Sequence, residues 1–157
     1  MRRREKAALF IDGQNMWPFE YAAMHEAVQK YNTMIKRVYL SRVDVDYYKN
    51  YKGRKIDIVA SLQNRGFETI VTGHLKNVDP YLIADVMEVI CERPDIENII
   101  LSTGDTDLVR VVDKAKERGR NTILITKKEQ KGVSAALKKR VHLHIEIPNV
   151  LGGLEDN

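Results

Sequence analysis

Aspartate recurs in this chain where apolar runs stop. Phe10-Ile11-Asp12-Gly13-Gln14-Asn15 closes one run, and Leu101-Ser102-Thr103-Gly104-Asp105-Thr106-Asp107 closes another. A glycine beside each acid lets the backbone turn sharply and approach a ligand closely, with the acid where a helix begins. The segment Lys76-Asn77-Val78-Asp79-Pro80-Tyr81-Leu82-Ile83-Ala84-Asp85 carries two more. On a helical wheel Asp85 lies beside Val89 at the margin of the apolar stripe, where it can face a sheet edge or face water with Glu88 and Glu92. Carboxylates gathered at one point repel one another and raise their own pKa values unless a cation neutralises them. With no paired His and no Cys motif, oxygen ligation favours a hard divalent ion, Mg²⁺ or Mn²⁺, over zinc. Such a site suits phosphodiester hydrolysis, because the ion activates water and offsets charge on the phosphate and the leaving oxygen. Each acid also has a structural reading. Asp79 and Asp105 fit as helix N-caps, and Asp107 suits the positive end of a helix dipole.

These residues need a scaffold that brings the ends of separate strands together, and the periodicity predicts one. Strands are expected over 7–11, 35–41, 67–72, 98–103, 122–126 and 141–147. Between them lie helices over much of 16–30, near 54–65 with Gly66 as C-cap, from Asp79-Pro80 to about Arg93, from Asp105 to Gly119, and near 132–140. Residues 42–53 read as a polar connection. Strands alternating with helices predict a single-domain, three-layer α/β/α fold with a mostly parallel sheet. Ligands in such folds bind at the carboxyl ends of the strands, where strand order reverses. In the order 3-2-1-4-5 the acids after strands one and four are neighbours.

The 157 residues fit one domain, with a basic tail over 1–6, a body over 7–147 and a tail over 148–157. One Cys, Cys91, permits no internal disulfide and points to a reducing compartment. The apolar run 7–11 is too short for a signal peptide, and no run reaches the roughly 18 residues of a membrane span, so a soluble cytoplasmic protein is expected. Twenty-six Lys and Arg against 22 Asp and Glu leave +4. The excess is concentrated: residues 110–140 hold eleven bases against three acids. That suits a polyanion partner, or equally a set of solvated helix faces.

Three motifs, in order and spacing, resemble the NYN domain family, the LabA-like branch of the PIN superfamily of metal-dependent ribonucleases. Phe10-Ile11-Asp12-Gly13-Gln14-Asn15 is similar to F-x-D-G-x-N. Lys76, Val78, Asp79, Leu82 and Asp85 are similar to K-x-V-D-x-x-L-x-x-D, and Thr103-Gly104-Asp105-Thr106-Asp107 to S-G-D-x-D. The resemblance spans 7 to about 147. It implies that Asp12, Asp85, Asp105 and Asp107 hold Mg²⁺ or Mn²⁺, with Asp79 as an auxiliary acid. It further implies that Asn15 contacts the attacking water or the scissile phosphate, that Lys76 and Thr103 adjoin the substrate, and that the sheet has the PIN-like order. Thr103 replaces the commoner Ser and keeps the hydroxyl. Leu108 replaces Phe. Leu137-Lys138-Lys139-Arg140-Val141-His142 lacks an Ala-Asp pair common among relatives.

Tyr47-Tyr48-Lys49-Asn50-Tyr51-Lys52-Gly53-Arg54-Lys55 interleaves aromatics with bases, as in proteins that stack unpaired bases; a loop packing on its own helix is the alternative. Tyr48, Lys49 and Lys52 are therefore substrate-binding candidates, as are Lys127 and Lys128, with Lys131 nearby. Lys138, Lys139 and Arg140 end a helix, where its dipole suffices to explain them. His142 and His144 alternate along a strand; structural histidines are commoner there than metal ligands. Cys91 is read as a small apolar residue. Trp17, Phe19 and Tyr21 are read as a helix start packed on the sheet. No G-x-G-x-x-G or Walker motif supports a nucleotide cofactor. Gln14 breaks the D-x-D of a haloacid-dehalogenase phosphatase, and Thr72-Gly73 leaves no phosphorylatable Asp for a receiver-like domain. The expected function is a metal-dependent endoribonuclease acting on single-stranded or structured RNA. The alternative is a non-catalytic RNA- or protein-binding module. Oligomeric state is left open, a homo-oligomer included.

Overall fold

The structure, a computed structural model, describes residues 2–14, 20–73 and 77–148. Its strands are β1 (Lys6–Asp12), β2 (Asn32–Ser41), β3 (Glu68–Thr72), β4 (Asn98–Ser102), β5 (Asn121–Lys127) and β6 (Leu143–Ile147). They form one sheet of order β3-β2-β1-β4-β5-β6, every pairing parallel. The expected five-strand order holds, and the last strand adds outside β5. The continuous apolar runs of β1 and β4 occupy the centre because both of their faces are covered.

One face carries α1 (Tyr21–Val28), α2 (Arg42–Tyr48) and α3 (Ile58–Asn64), which pack Met24, Tyr48 and Leu62 on Leu9, Leu40 and Ile100. The other carries α4 (Asp79–Glu92), α5 (Val109–Glu117) and α6 (Ala135–Arg140), which pack Leu82, Val112 and Leu137 on Phe10, Tyr39 and Leu101. The single-domain, three-layer α/β/α reading is therefore correct.

Two local readings need correction. Residues 42–48 are helix α2 and not a polar connection. Ser41 Oγ accepts from Asp44 N while the Asp44 carboxylate accepts from Ser41 N, a capping box that starts the helix. Asp79 is not an N-cap. Val78 holds that position, and Asn77 Oδ1 accepts from Asp79 N at 3.0 Å, which leaves the Asp79 carboxylate for other contacts. Asp105 does cap, accepting from Asp107 N at 2.9 Å ahead of a single 3₁₀ turn over Thr106–Leu108.

Arg120 shows that the basic segment is not all surface. It is buried, and its guanidinium donates to the carbonyls of Ile90, Arg93, Ile96 and Arg118 at 2.7–3.1 Å. Those bonds tie the end of α4 to the turn after α5, with the cation at the negative pole of α4. Arg140 is held by Asp113 at 2.7 Å. No helix among the described residues is long and apolar enough to cross a membrane.

Candidate metal centre

β1 and β4 are hydrogen-bonded neighbours, so the acids that follow them meet at the carboxyl edge of the sheet. Carboxylate oxygens of Asp79, Asp105 and Asp107 all lie within 4.8 Å of one another. Asp12, the last residue of β1, is buried beside them and its charge acts on Asp79. Asp12 is fixed at both oxygens: Oδ1 accepts from Gln14 N at 3.0 Å and Oδ2 from the Thr103 hydroxyl at 3.3 Å. Thr103 Oγ1 in turn accepts from Asp105 N at 3.2 Å, so one buried hydroxyl links the ends of β1 and β4.

The electrostatics follow from crowding. Burial, a hydrogen bond to Asp105, and the charges of Asp12, Asp105 and Asp107 push Asp79 up to about 8. Asp105 is held below its ordinary range by that same hydrogen bond from Asp79. With no cation bound, crowding thus favours the protonated form of Asp79, the response expected where acids converge. The group offers only oxygen donors, which fits a hard divalent cation such as Mg²⁺ or Mn²⁺.

Gln14 is a tie that the sequence reading passed over. Its Nε2 donates to Asp44 in the first turn of α2 at 2.9 Å, and its Oε1 accepts from Val78 N at 3.3 Å. One side chain thereby joins the end of β1 to the starts of α2 and α4. An unnamed position inside a motif gave no signal for this, since the role depends on two distant elements. Gly13 is required by proximity: a Cβ there would lie 2.6 Å from the Tyr39 carbonyl oxygen and 2.5 Å from Leu40 Cδ2. Gly13→Ala should therefore destabilise the fold by about 1–3 kcal/mol. Chemical denaturation of the variant measures it.

The remaining candidates scatter. Asp85 stands apart from the three clustered acids: its Oδ2 accepts from the Tyr39 hydroxyl and lies 3.8 Å from Arg37 Nη1. Asn15, Lys76, Trp17 and Phe19 lie outside the described residues. Tyr48 is buried under α2, whereas Tyr47 is exposed. Lys49 pairs with Asp46 at 3.0 Å, and the Lys52 ammonium sits over the Tyr51 ring at 5.4 Å. Lys127 turns inward, 3.8 Å from the buried carboxylate of Glu20. Lys128 and Lys131 are exposed. His142 Nδ1 accepts from Thr122 N, and His144 Nε2 meets Thr126 Oγ1 at 2.7 Å, so both serve β5–β6 packing. Cys91, read as a small apolar residue, is exposed on the outer face of α4. Tyr21 starts α1, its hydroxyl bonds Ser61, and Arg65 covers its ring.

The NYN domain model matches residues 6–148, nearly the whole described body. The chain belongs to the NYN domain family. That family is PIN-like and its members are typically nucleases, which accords with acids at this sheet edge. An uncharacterized protein of Methanocaldococcus jannaschii is 28% identical to this NYN chain over 142 residues, 90% of this chain and 55% of that one. The NYN chain thus spans about half the length of that relative. A crystal structure of a protein of unknown function from Vibrio parahaemolyticus shares the fold, with TM-score 0.70 and 18% identity over 95% of this chain and 98% of that one.

Proposed function

We propose that this NYN chain is a metal-dependent endoribonuclease, with Asp79, Asp105 and Asp107 holding Mg²⁺ or Mn²⁺. The observation that carries the reading is the convergence of those three carboxylates, whose oxygens lie within 4.8 Å of one another. Asp79 takes the ligand place that the resemblance gave to Asp85, and Asp85 instead fixes Tyr39 beside the site. A divalent ion bound there supplies a water activated toward hydroxide and offsets charge on the phosphate and leaving oxygen. The chain's own residues do the positioning. Asp12 is aimed by Gln14 and Thr103 and adds negative charge behind the ligands. Asn15 contacts the attacking water or the scissile phosphate, and Lys76 and Lys128 engage the RNA backbone. The domain runs from 7 to 147, with tails on either side, and acts in the cytoplasm.

The test is a Mg²⁺ and Mn²⁺ titration on a labelled RNA mixture, wild type beside Asp105→Asn. Cleavage should need the metal, stop in EDTA and fall to background in the variant. RNA that binds but is not cut with either ion, or is cut equally by Asp105→Asn, would assign the fold to binding alone.

A further inference from the structure

We propose that Tyr47, backed by Tyr48 and Tyr51, is a base-stacking platform that makes the site selective for single-stranded RNA; this rests on the RNA reading above. Tyr47 is the most exposed large apolar side chain among the described residues, at 58%, and Val43 one turn earlier is 49% exposed. The ring is braced as well as exposed. It meets buried Tyr48 edge-on at 5.2 Å and Tyr51 at 5.4 Å, while Tyr48 and Tyr51 lie 5.8 Å apart. Such a cluster fixes the outer ring at low entropic cost, as a stacking surface requires.

Charge identifies the occupant. Residues 42–57 contain Arg42, Lys49, Lys52, Arg54 and Lys55 against Asp44, Asp46 and Asp57; Asp46 pairs with Lys49 and Arg42, and the run 47–56 after it holds bases alone, so the aromatic face has an excess of cations suited to a phosphate backbone. Its place identifies the partner strand. Asp44, three residues before Tyr47 on α2, is held by Gln14, whose own backbone N–H holds Asp12. A strand crossing the acids can therefore lay an unpaired base on Tyr47. A duplex keeps its bases stacked on one another and offers no face to the ring.

Binding is measured by fluorescence anisotropy in the Asp105→Asn background, where turnover does not interfere, using a fluorescein-labelled 12-mer of single-stranded RNA. Tyr47→Ala should weaken binding about tenfold or more, and Tyr47→Trp should restore it. The salt slope should be unchanged in Tyr47→Ala and should fall by about one in Lys55→Ala. An abasic oligomer and a duplex should not distinguish wild-type Tyr47 from Ala. Equal affinity of Tyr47→Ala for intact RNA, or an equal loss on the abasic oligomer, overturns the platform and returns the exposed face to a protein partner. Because binding is read without cleavage, loss of the nuclease reading alone leaves this result standing, and the reverse also holds.

Discussion

Asp79→Asn should make the metal-free protein more stable at about pH 9 and should also lower Mn²⁺-dependent RNA cleavage by at least about a hundredfold. The two signs have one source. In the folded chain Asp79 is pushed up to about 8, whereas an unfolded Asp titrates near 4. The folded state therefore holds the extra proton between those values. The stabilisation it brings is fully present below about pH 4 and is lost as pH rises through about 8. Above that the wild type must bury a carboxylate against Asp12, Asp105 and Asp107. Asparagine keeps a donor for Asp105 without the charge, so the variant should gain about 1–2 kcal/mol over wild type in EDTA at about pH 9 and nothing at low pH. Thermal melts from about pH 5 to 9 measure this. Mn²⁺ should then raise the melting temperature of wild type far more than that of the variant, because binding to the folded state alone stabilises it. The benefit should grow with pH up to about 8, since the metal displaces the proton. A variant that melts like wild type in EDTA across this range would refute the crowded-acid account.

Arg120→Met should destabilise the protein by about 3–5 kcal/mol, the largest stability effect expected of any basic residue in the 110–140 segment. Four carbonyls lose a charged donor together, and three of them, on Ile90, Arg93 and Ile96, lie at the end of α4 and in the turn before β4. The apolar side chain fills the space but leaves those oxygens without the bonds they had. Arg120→Lys should recover only part of the loss, because an ammonium cannot span the fork that a guanidinium covers. Urea denaturation measures both. By contrast, Lys138→Ala, at an exposed helix end, should stay within about 0.5 kcal/mol of wild type.

Strand order and the meeting of Asp12 with Asp105 were readable because both depend on local signals: apolar runs, glycines beside acids, and the rule that places ligands where strand order reverses. What local signals do not separate is near-equivalent residues. Asp79 and Asp85 both sit on α4 at sequence positions a metal could use, and the sequence does not say that Asp79 lies within 4.8 Å of Asp105 and Asp107 while Asp85 meets the Tyr39 hydroxyl and Arg37. Asp79-Pro80 looks like a cap because nothing in the sequence announces that Val78 will hold that position and that Asn77 will accept from Asp79 N. α2 was hidden by a capping box that ends in Asp44 instead of the usual Glu or Gln, and by polar residues on its outer face. Tyr47 and Tyr48 are adjacent, so composition could not say which ring is buried. Arg120 was counted as surface charge, since its four carbonyl partners come from parts of the chain that meet only after folding.

The parallel sheet also dictates when the molecule can assemble. Its central strand, β1, leaves the ribosome before the other strands of the sheet, yet one of its two neighbours is β4, which pairs Ala7 with Asn98 through Ile11 with Ser102. Until those later residues emerge, Leu9 and Phe10 have only β2 beside them. No hairpin joins the six strands of the sheet to shorten the wait, because each of their parallel pairings needs a crossover. Distant pairings of this kind make for slow folding and for a nascent chain whose most apolar strand stays half-covered through most of synthesis. The acids of the candidate metal site are split across the same gap. The acidic edge is therefore among the last parts of the domain to form, and partly made chains carry Asp12 without Asp105 or Asp107.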